Sequence, residues 1–328
     1  MTVLVTGATG FLGSHVVERL ARAGQTVRAL ARRTSDRSFL QTLEGVEIVE
    51  GSVDDSESVT RALRGVTGVV HAAGLVKARS ADEFRRVNTE GTRNMLEAAK
   101  RAGSKLERFV YVSSLTAAGP SDADGNPVPL DREANPVTHY GRSKLAAECA
   151  VLEQRDAMKV VVLRPPAIYG PRDREILIFF RAIAKGVLPL TNPPRSKLSM
   201  LYGPDCAGAC VRALGADVDS GSLFYLDDGE VHTFADLIYQ SEAALRKRAW
   251  LRFALPQPVT LTAAFLSELY GKLTNRAVML TRDKCNELFA QWVCDGSLAR
   301  QRLGWHPEVS FAEGVQRTVD WYREHRWI

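Results

Sequence analysis

Tyr140 and Lys144 stand four residues apart in Tyr140-Gly-Arg-Ser-Lys144, a spacing that puts both side chains on one face of a helix, one turn from each other. A phenol with an ordinary pKa of about 10 is a poor acid or base at neutral pH, and an ammonium beside it favours the ionised form. The pair therefore reads as a proton relay for a carbonyl whose oxygen becomes an alkoxide on accepting hydride. Ser113 and Ser114 close the apolar run Arg108-Phe-Val-Tyr-Val112. A hydroxyl at the carboxyl end of such a strand can hydrogen-bond a substrate oxygen, and it lies where the sites of parallel sheets collect.

Hydride chemistry needs a carrier, and the start of the chain offers a place for one. A β-branched run, Thr2-Val-Leu-Val-Thr6, leads into Gly7-Ala-Thr-Gly10-Phe-Leu-Gly13 and then into a helical pattern. Glycines at a strand-to-helix turn remove the Cβ atoms that would keep a pyrophosphate off the backbone, and the first N–H groups of the helix supply donors and a positive dipole end. Gly7, Thr9, Gly10, Phe11, Leu12 and Gly13 are the expected cradle. A second strand, Thr26 to Ala31, is followed by Arg32 and Arg33, where units that bind NAD place an acid for the ribose. Two guanidiniums in place of that acid suit a 2′-phosphate, so NADP(H) is the expected coenzyme, with NAD(H) the alternative.

The elements that must hold these groups alternate regularly. Strands are expected at 46–50, 68–74, 108–114 and 160–164. Helices are expected from about 11 to 23, after Ser56 as N-cap, from Asp82 to Ala102 as one long helix, and from Tyr140 to Gln154. Alternation of this kind predicts an α/β fold with a doubly wound, Rossmann-type parallel sheet. With 328 residues the chain exceeds a typical single domain. The expected division is a dinucleotide domain over 1–170, joined by about 205–227, and a smaller, mostly helical substrate domain from 171–204 and 228–328.

Composition excludes several classes. The basic residues behind the net charge of +5 are scattered and lack interleaved aromatics, which argues against nucleic acid. No apolar run is long enough to span a bilayer. Five cysteines form no C-x-x-C pair. Cys206 and Cys210 share a helix face without a nearby His or Cys to complete a site, so packing is their expected role and no metal is expected. A cytoplasmic protein with reduced thiols follows from this reading.

Gly7/Gly10/Gly13, His71-Ala-Ala-Gly74, Val87-Asn-Thr-Glu-Gly91-Thr, Val112-Ser-Ser114, Tyr140-x-x-x-Lys144 and Leu163-Arg-Pro-Pro-Ala-Ile-Tyr-Gly170-Pro-Arg occur in this order. Together they resemble the extended short-chain dehydrogenase/reductase family, the NAD-dependent epimerase/dehydratase superfamily. The likeness resumes at Leu303-Gly-Trp-His-Pro. It implies Ser114, Tyr140 and Lys144 as catalytic residues, with Lys144 also holding the nicotinamide ribose and Ser113 in support. It further implies cofactor contacts from Ser52, Val53, His71, Ala72, Ala73, Pro165 and Ala167, and substrate contacts from Leu75, Ser114, Tyr140 and Ile168. Asn88 is expected to be structural, and His71 to pack beneath its turn without acting in the chemistry. Ser52 stands where the family usually has an acid that contacts adenine, which leaves Val53 as the nearer adenine-packing residue. The long helices at 82–102 and 140–154 are those through which members of this family commonly form homodimers.

Substrate class is less legible, because nucleotide-sugar enzymes share the triad. Arg164-Pro-Pro-Ala167 lacks the Asn that many of them carry after Arg-Pro-x. Ile176 to Phe180 and Trp250 to Tyr270 are apolar where a sugar site would be polar. These stretches suit a greasy pocket or a membrane surface, the second equally an ordinary buried helix. They resemble the 3β-hydroxysteroid dehydrogenase and dihydroflavonol reductase-like branch, which implies a ketone and secondary-alcohol pair on a hydrophobic substrate such as a sterol, a 3-oxoacyl chain or a 3-oxo-sphingolipid. The alternatives are a nucleotide-sugar epimerase or dehydratase with tightly bound NAD, and a regulator that binds NADP without chemistry.

Overall fold

The computed structural model describes residues 1–102, 106–190, 193–254, 256–274, 277–278 and 280–328. Strands β1 (Thr2–Thr6), β2 (Thr26–Ala31), β3 (Val46–Glu50), β4 (Gly68–His71), β5 (Arg108–Val112) and β6 (Val160–Arg164) lie in one parallel sheet. The order is β3-β2-β1-β4-β5-β6, extended past β6 by a later strand, Ser222–Tyr225. Successive β1 residues serve opposite faces: Val3 and Val5 join one apolar core while Leu4 joins the other. Both faces are covered, which is why β4, β5 and β6 are buried throughout and read as unbroken apolar runs.

Helices α1 (Phe11–Arg22), α2 (Ser38–Gln41), α3 (Ser56–Ala62), α4 (Ala81–Phe84), α5 (Gly91–Ala102), α6 (Leu115–Ala118) and α7 (His139–Leu152) alternate with these strands. Two expectations are corrected. The N-cap of α3 is Asp55, whose carboxylate accepts from the Glu57 N–H, rather than Ser56. The single helix expected over 82–102 is α4, a π-helical turn over Arg85–Glu90, and then α5. Within that turn Asn88 is drawn inward to the neighbouring loop and α7, and a wider turn of this kind is a recurrent feature of functional sites.

After β6 the chain runs through β7 (Ala167–Tyr169), α8 (Leu177–Ala184), β8 (Val187–Leu190), β9 (Lys197–Leu198), β10 (Met200–Tyr202) and α9 (Gly203–Gly215) to β11 (Ser222–Tyr225). The remainder is β12 (His232–Thr233), α10 (Phe234–Leu245), β13 (Leu251–Ala254), α11 (Gln257–Thr274), α12 (Arg282–Leu288), α13 (Ser297–Leu303) and α14 (Phe311–Glu324). Cys206 and Cys210 are buried on α9 in the core it shares with α1, and no metal-binding cluster occurs among the described residues. A separate core forms from α8, α10 and α14, with Phe180 and Tyr322 fully enclosed. Trp305 of the Leu303-Gly-Trp-His-Pro run ties the end of the chain back to α9, donating from Nε1 to the Asp205 carbonyl at 3.1 Å.

The two apolar stretches behave differently. In the first, Leu177 and Phe180 are core while Ile178 is exposed. In the second, β13 and much of α11 present their apolar side chains outward. Leu255, inside that stretch, lies outside the described residues. No helix among the described residues is long and apolar enough to cross a membrane.

Candidate active site

All the candidate chemistry comes from the carboxyl ends of β1, β4, β5 and β6 and from α7. The sheet order reverses between β1 and β4, and ligands of such sheets bind at that switch point. Gly7 leaves β1 with φ +68°, and a Cβ there would stand 2.8 Å from the Ala72 carbonyl and the Ala73 nitrogen, so the turns after β1 and β4 touch backbone to backbone. A Cβ on Gly13 would come 2.0 Å from the Gly7 carbonyl oxygen, which lets α1 rest directly on the turn. Gly10 differs: it is exposed, has an ordinary negative φ, and its Cβ would meet only the Gly7 oxygen at 3.1 Å. No side chain caps α1. The turn thus presents free backbone donors around a space that a Cβ on Gly10 would enter, and it fits a pyrophosphate. The Phe11 ring packs toward Gly203, and Leu12 belongs to the core. Thr9 is half-buried in the same turn.

Arg32 and Arg33 follow β2 as exposed side chains without an ion-pair partner among the described residues, available to an anion. Ser52 bonds its hydroxyl to Asp54, and Val53 is buried against Gly91, where its backbone carbonyl accepts from Asn94 at 3.0 Å. His71 is wholly enclosed. Its ring nitrogens meet the hydroxyls of Thr6 at 2.7 Å and Thr92 at 2.9 Å, and burial pushes its pKa down to about 3. It is a neutral buttress, and Thr6 also accepts from the Ala73 N–H, which shapes the Ala72-Ala73 turn. Pro165 is buried with its carbonyl taken by the Leu115 N–H, Ala167 is exposed, and Ile168 packs partly against the core.

Thr138 caps α7 by accepting from the Gly141 N–H at 3.0 Å, and a Cβ on Gly141 would lie 2.4 Å from the Thr116 carbonyl. That contact brings the first turn of α7 down on the Ser114 segment. Tyr140 lies near Ser114, whose Oγ accepts from the Thr116 hydroxyl at 2.8 Å. Burial pushes the phenol up to about 12, a rise that the nearby Ser114 hydroxyl opposes. Lys144 lies one turn on, and burial drives its pKa down to about 7. Its Nζ donates to the Val112 carbonyl at 2.5 Å and sits 4.4 Å from the centre of the Tyr111 ring. That hydrogen bond anchors the ammonium on β5.

Behind this layer stand Glu148 and Arg164, to which the sequence analysis gave no role, with Ser113 and Asn88 in the supporting places expected of them. Ser113 donates to Glu148 at 2.7 Å, and Glu148 pairs with Arg164 through two contacts of 2.5 and 3.0 Å. All three are buried, and Tyr225 bonds the same guanidinium at 3.2 Å. The i, i+4 spacing of Lys144 and Glu148 was the available signal. Asn88 clamps the loop after β4, bonding the Leu75 N–H at 2.7 Å and its carbonyl at 3.0 Å while donating to Ser143 at 2.9 Å. Across the site, Asp283 of α12 accepts from the His139 N–H at 2.6 Å and pairs with Arg142, so the carboxyl-terminal part seats on the start of α7.

Residues 3–224 match the model of the NAD dependent epimerase/dehydratase family. The chain is 34% identical to a ceramide reductase of Caulobacter vibrioides over 99% of this chain and 96% of that protein. It is 39% identical to sterol demethylase protein B of Methylococcus capsulatus over the whole of both. Among solved structures it is similar to the UDP-glucose 4-epimerase of Thermus thermophilus in complex with NAD, at 26% identity and a TM-score of 0.78, covering 98% of this chain and 99% of the other.

Proposed function

The chain belongs to the NAD dependent epimerase/dehydratase family and is an NAD(P)-dependent oxidoreductase, and we propose that it interconverts a ketone and a secondary alcohol on a lipid-class substrate with NADP(H) preferred. The observation that carries this reading is Tyr140 standing near Ser114, with Lys144 one turn on along α7, together with a glycine turn whose shape fits a pyrophosphate. The bound nicotinamide supplies or accepts the hydride. Tyr140, protonated at neutral pH with a pKa of about 12, gives its proton to the oxygen that gains negative charge. Ser114 donates to that oxygen and holds it against the phenol. In this reading Lys144 bonds the ribose of the coenzyme and, in its charged form, lowers the phenol's cost of losing the proton.

The lipid class rests on the ceramide and sterol relatives and on the apolar carboxyl-terminal part. The unpartnered Arg32 and Arg33 support NADP(H), and the reading includes a homodimer through α5 and α7 and work at a membrane surface. Tyr140→Phe tests the mechanism: turnover of a lipid ketone falls at least about 100-fold while coenzyme binding persists. A variant that keeps the wild-type rate overturns it. Likeness to an NAD-bound epimerase favours the second reading, a nucleotide-sugar enzyme, which would release stoichiometric NAD on denaturation.

A further inference from the structure

A water-soluble helix turns its apolar stripe inward, and α11 does the reverse. Its inward positions are small: Thr260, Ala264 and Gly271 are buried. Its outward positions recur at helical spacing and are large and apolar, with Leu266 58%, Leu269 45%, Tyr270 55% and Leu273 79% exposed. Two residues upstream, β13 is exposed along its whole length, and Trp250 just before it is 77% exposed. Of the sixteen large apolar side chains exposed among the described residues, nine fall between 250 and 273. Scattered exposure is ordinary, but such a concentration marks a surface that something covers.

Charge identifies what covers it. Residues 246–280 hold six basic side chains and one acidic, an excess as large as the formal +5 of the whole chain. Arg246, Lys247, Arg248 and Arg252 line a cavity of about 650 Å³ at the end of α10 that Tyr239 also borders. Its one acid, Glu242, is consumed by Arg252 at 2.6 and 2.7 Å, and Lys247 bonds the Ala184 carbonyl. Arg246 and Arg248 are left as exposed cations without an ion-pair partner among the described residues. A second copy of this chain would set these cations against their own kind or waste the apolar helix face on a charged surface. An anionic bilayer satisfies both at once, with phosphates at the arginines and acyl chains at the leucines, and Trp and Tyr at the level between.

We propose that the outward face of α11, with β13 and the Arg246–Arg252 rim, docks this protein on a membrane containing anionic phospholipid. The proposal deepens the membrane-surface reading above and stands apart from the reaction, since docking is read without turnover. The test is flotation of the full chain with vesicles of phosphatidylcholine alone and of phosphatidylcholine mixed with phosphatidylglycerol. Wild type floats with the anionic vesicles and not the neutral ones. Arg246→Glu with Arg248→Glu weakens that binding roughly tenfold or more, and so does Leu266→Glu with Leu273→Glu, while the melting temperature stays put because all four side chains point outward. Wild type that ignores anionic vesicles, or variants that bind as wild type does, overturns the proposal. So does a wild-type dimer in light scattering that the leucine substitutions split, which would assign the face to a protein partner.

Discussion

The glycines at the first turn separate two jobs that look alike in the sequence, and one substitution at each distinguishes them. Gly7→Ala forces a side chain into positive φ, which costs about 1–2 kcal/mol, and drives its Cβ to 2.8 Å from three backbone atoms of Ala72 and Ala73. Backbone cannot swing aside as a side chain can, so overpacking adds about 1–3 kcal/mol. The total, roughly 2–5 kcal/mol, is a large part of the 5–15 kcal/mol that typically holds a domain, and lowers the melting temperature by about 5–15 °C. Gly10→Ala meets one oxygen at 3.1 Å and keeps its backbone angles, so its stability changes by less than about 1 kcal/mol. Its methyl group nevertheless enters the space assigned to the pyrophosphate. Differential scanning fluorimetry separates the stabilities, and energy transfer from tryptophan to bound NADPH reads affinity. The expected result is a Gly10→Ala protein that melts like wild type and binds coenzyme at least tenfold more weakly. A Gly10→Ala variant that binds normally, or a Gly7→Ala variant with unchanged stability, refutes the assignment.

Three further outcomes follow from the same geometry. Arg32→Glu with Arg33→Glu raises the dissociation constant for NADPH at least tenfold and leaves that for NADH nearly unchanged in a fluorescence titration; equal effects on both would remove the case for the 2′-phosphate. Lys144 carries a folded pKa of about 7 against 10.5 for the free side chain, so its burial penalty is full below about pH 7 and disappears as pH rises through 10.5. Lys144→Met should therefore gain thermal stability relative to wild type most strongly near pH 6 and lose that advantage toward pH 10, and a difference flat in pH would contradict the assigned burial. Arg164→Met leaves the buried Glu148 without its ion-pair partner, a loss of about 3–5 kcal/mol in urea unfolding that pairing with Glu148→Leu largely reverses; additive losses would show the pair to be uncoupled.

Where one short-range pattern dictates structure, the sequence was readable. β2 and β3 occur at the expected residues because their β-branched runs match the strand period, and the glycine turn follows β1 because only glycine permits Gly7's angle and contacts. The helix over 82–102 was misjudged for the opposite reason. Helical periodicity survives a single wide turn, and nothing local announces that Asn88 must bond Leu75 and Ser143 at once. The α3 cap shifted by one residue because Asp55 and Ser56 are both good caps, and backbone geometry chose between them.

The sequence by itself determined which groups this protein has to work with. Tyr140 and Lys144 share a helix face because of the helical repeat, and the order of motifs required a parallel sheet with its loops at one edge. Tertiary structure decided what those groups experience. Lys144 donates to the Val112 carbonyl because β5 lies beneath α7, and Tyr140 comes near Ser114 because Gly141 lets the two elements touch. Burial shifts a pKa only once a three-dimensional enclosure exists, and contacts such as Glu148 to Arg164 join a helix to a strand that must first pack against each other. The apolar face of α11 shows the same division: its composition was plain in the chain, but whether it faced core or solvent was settled only by what packed beside it.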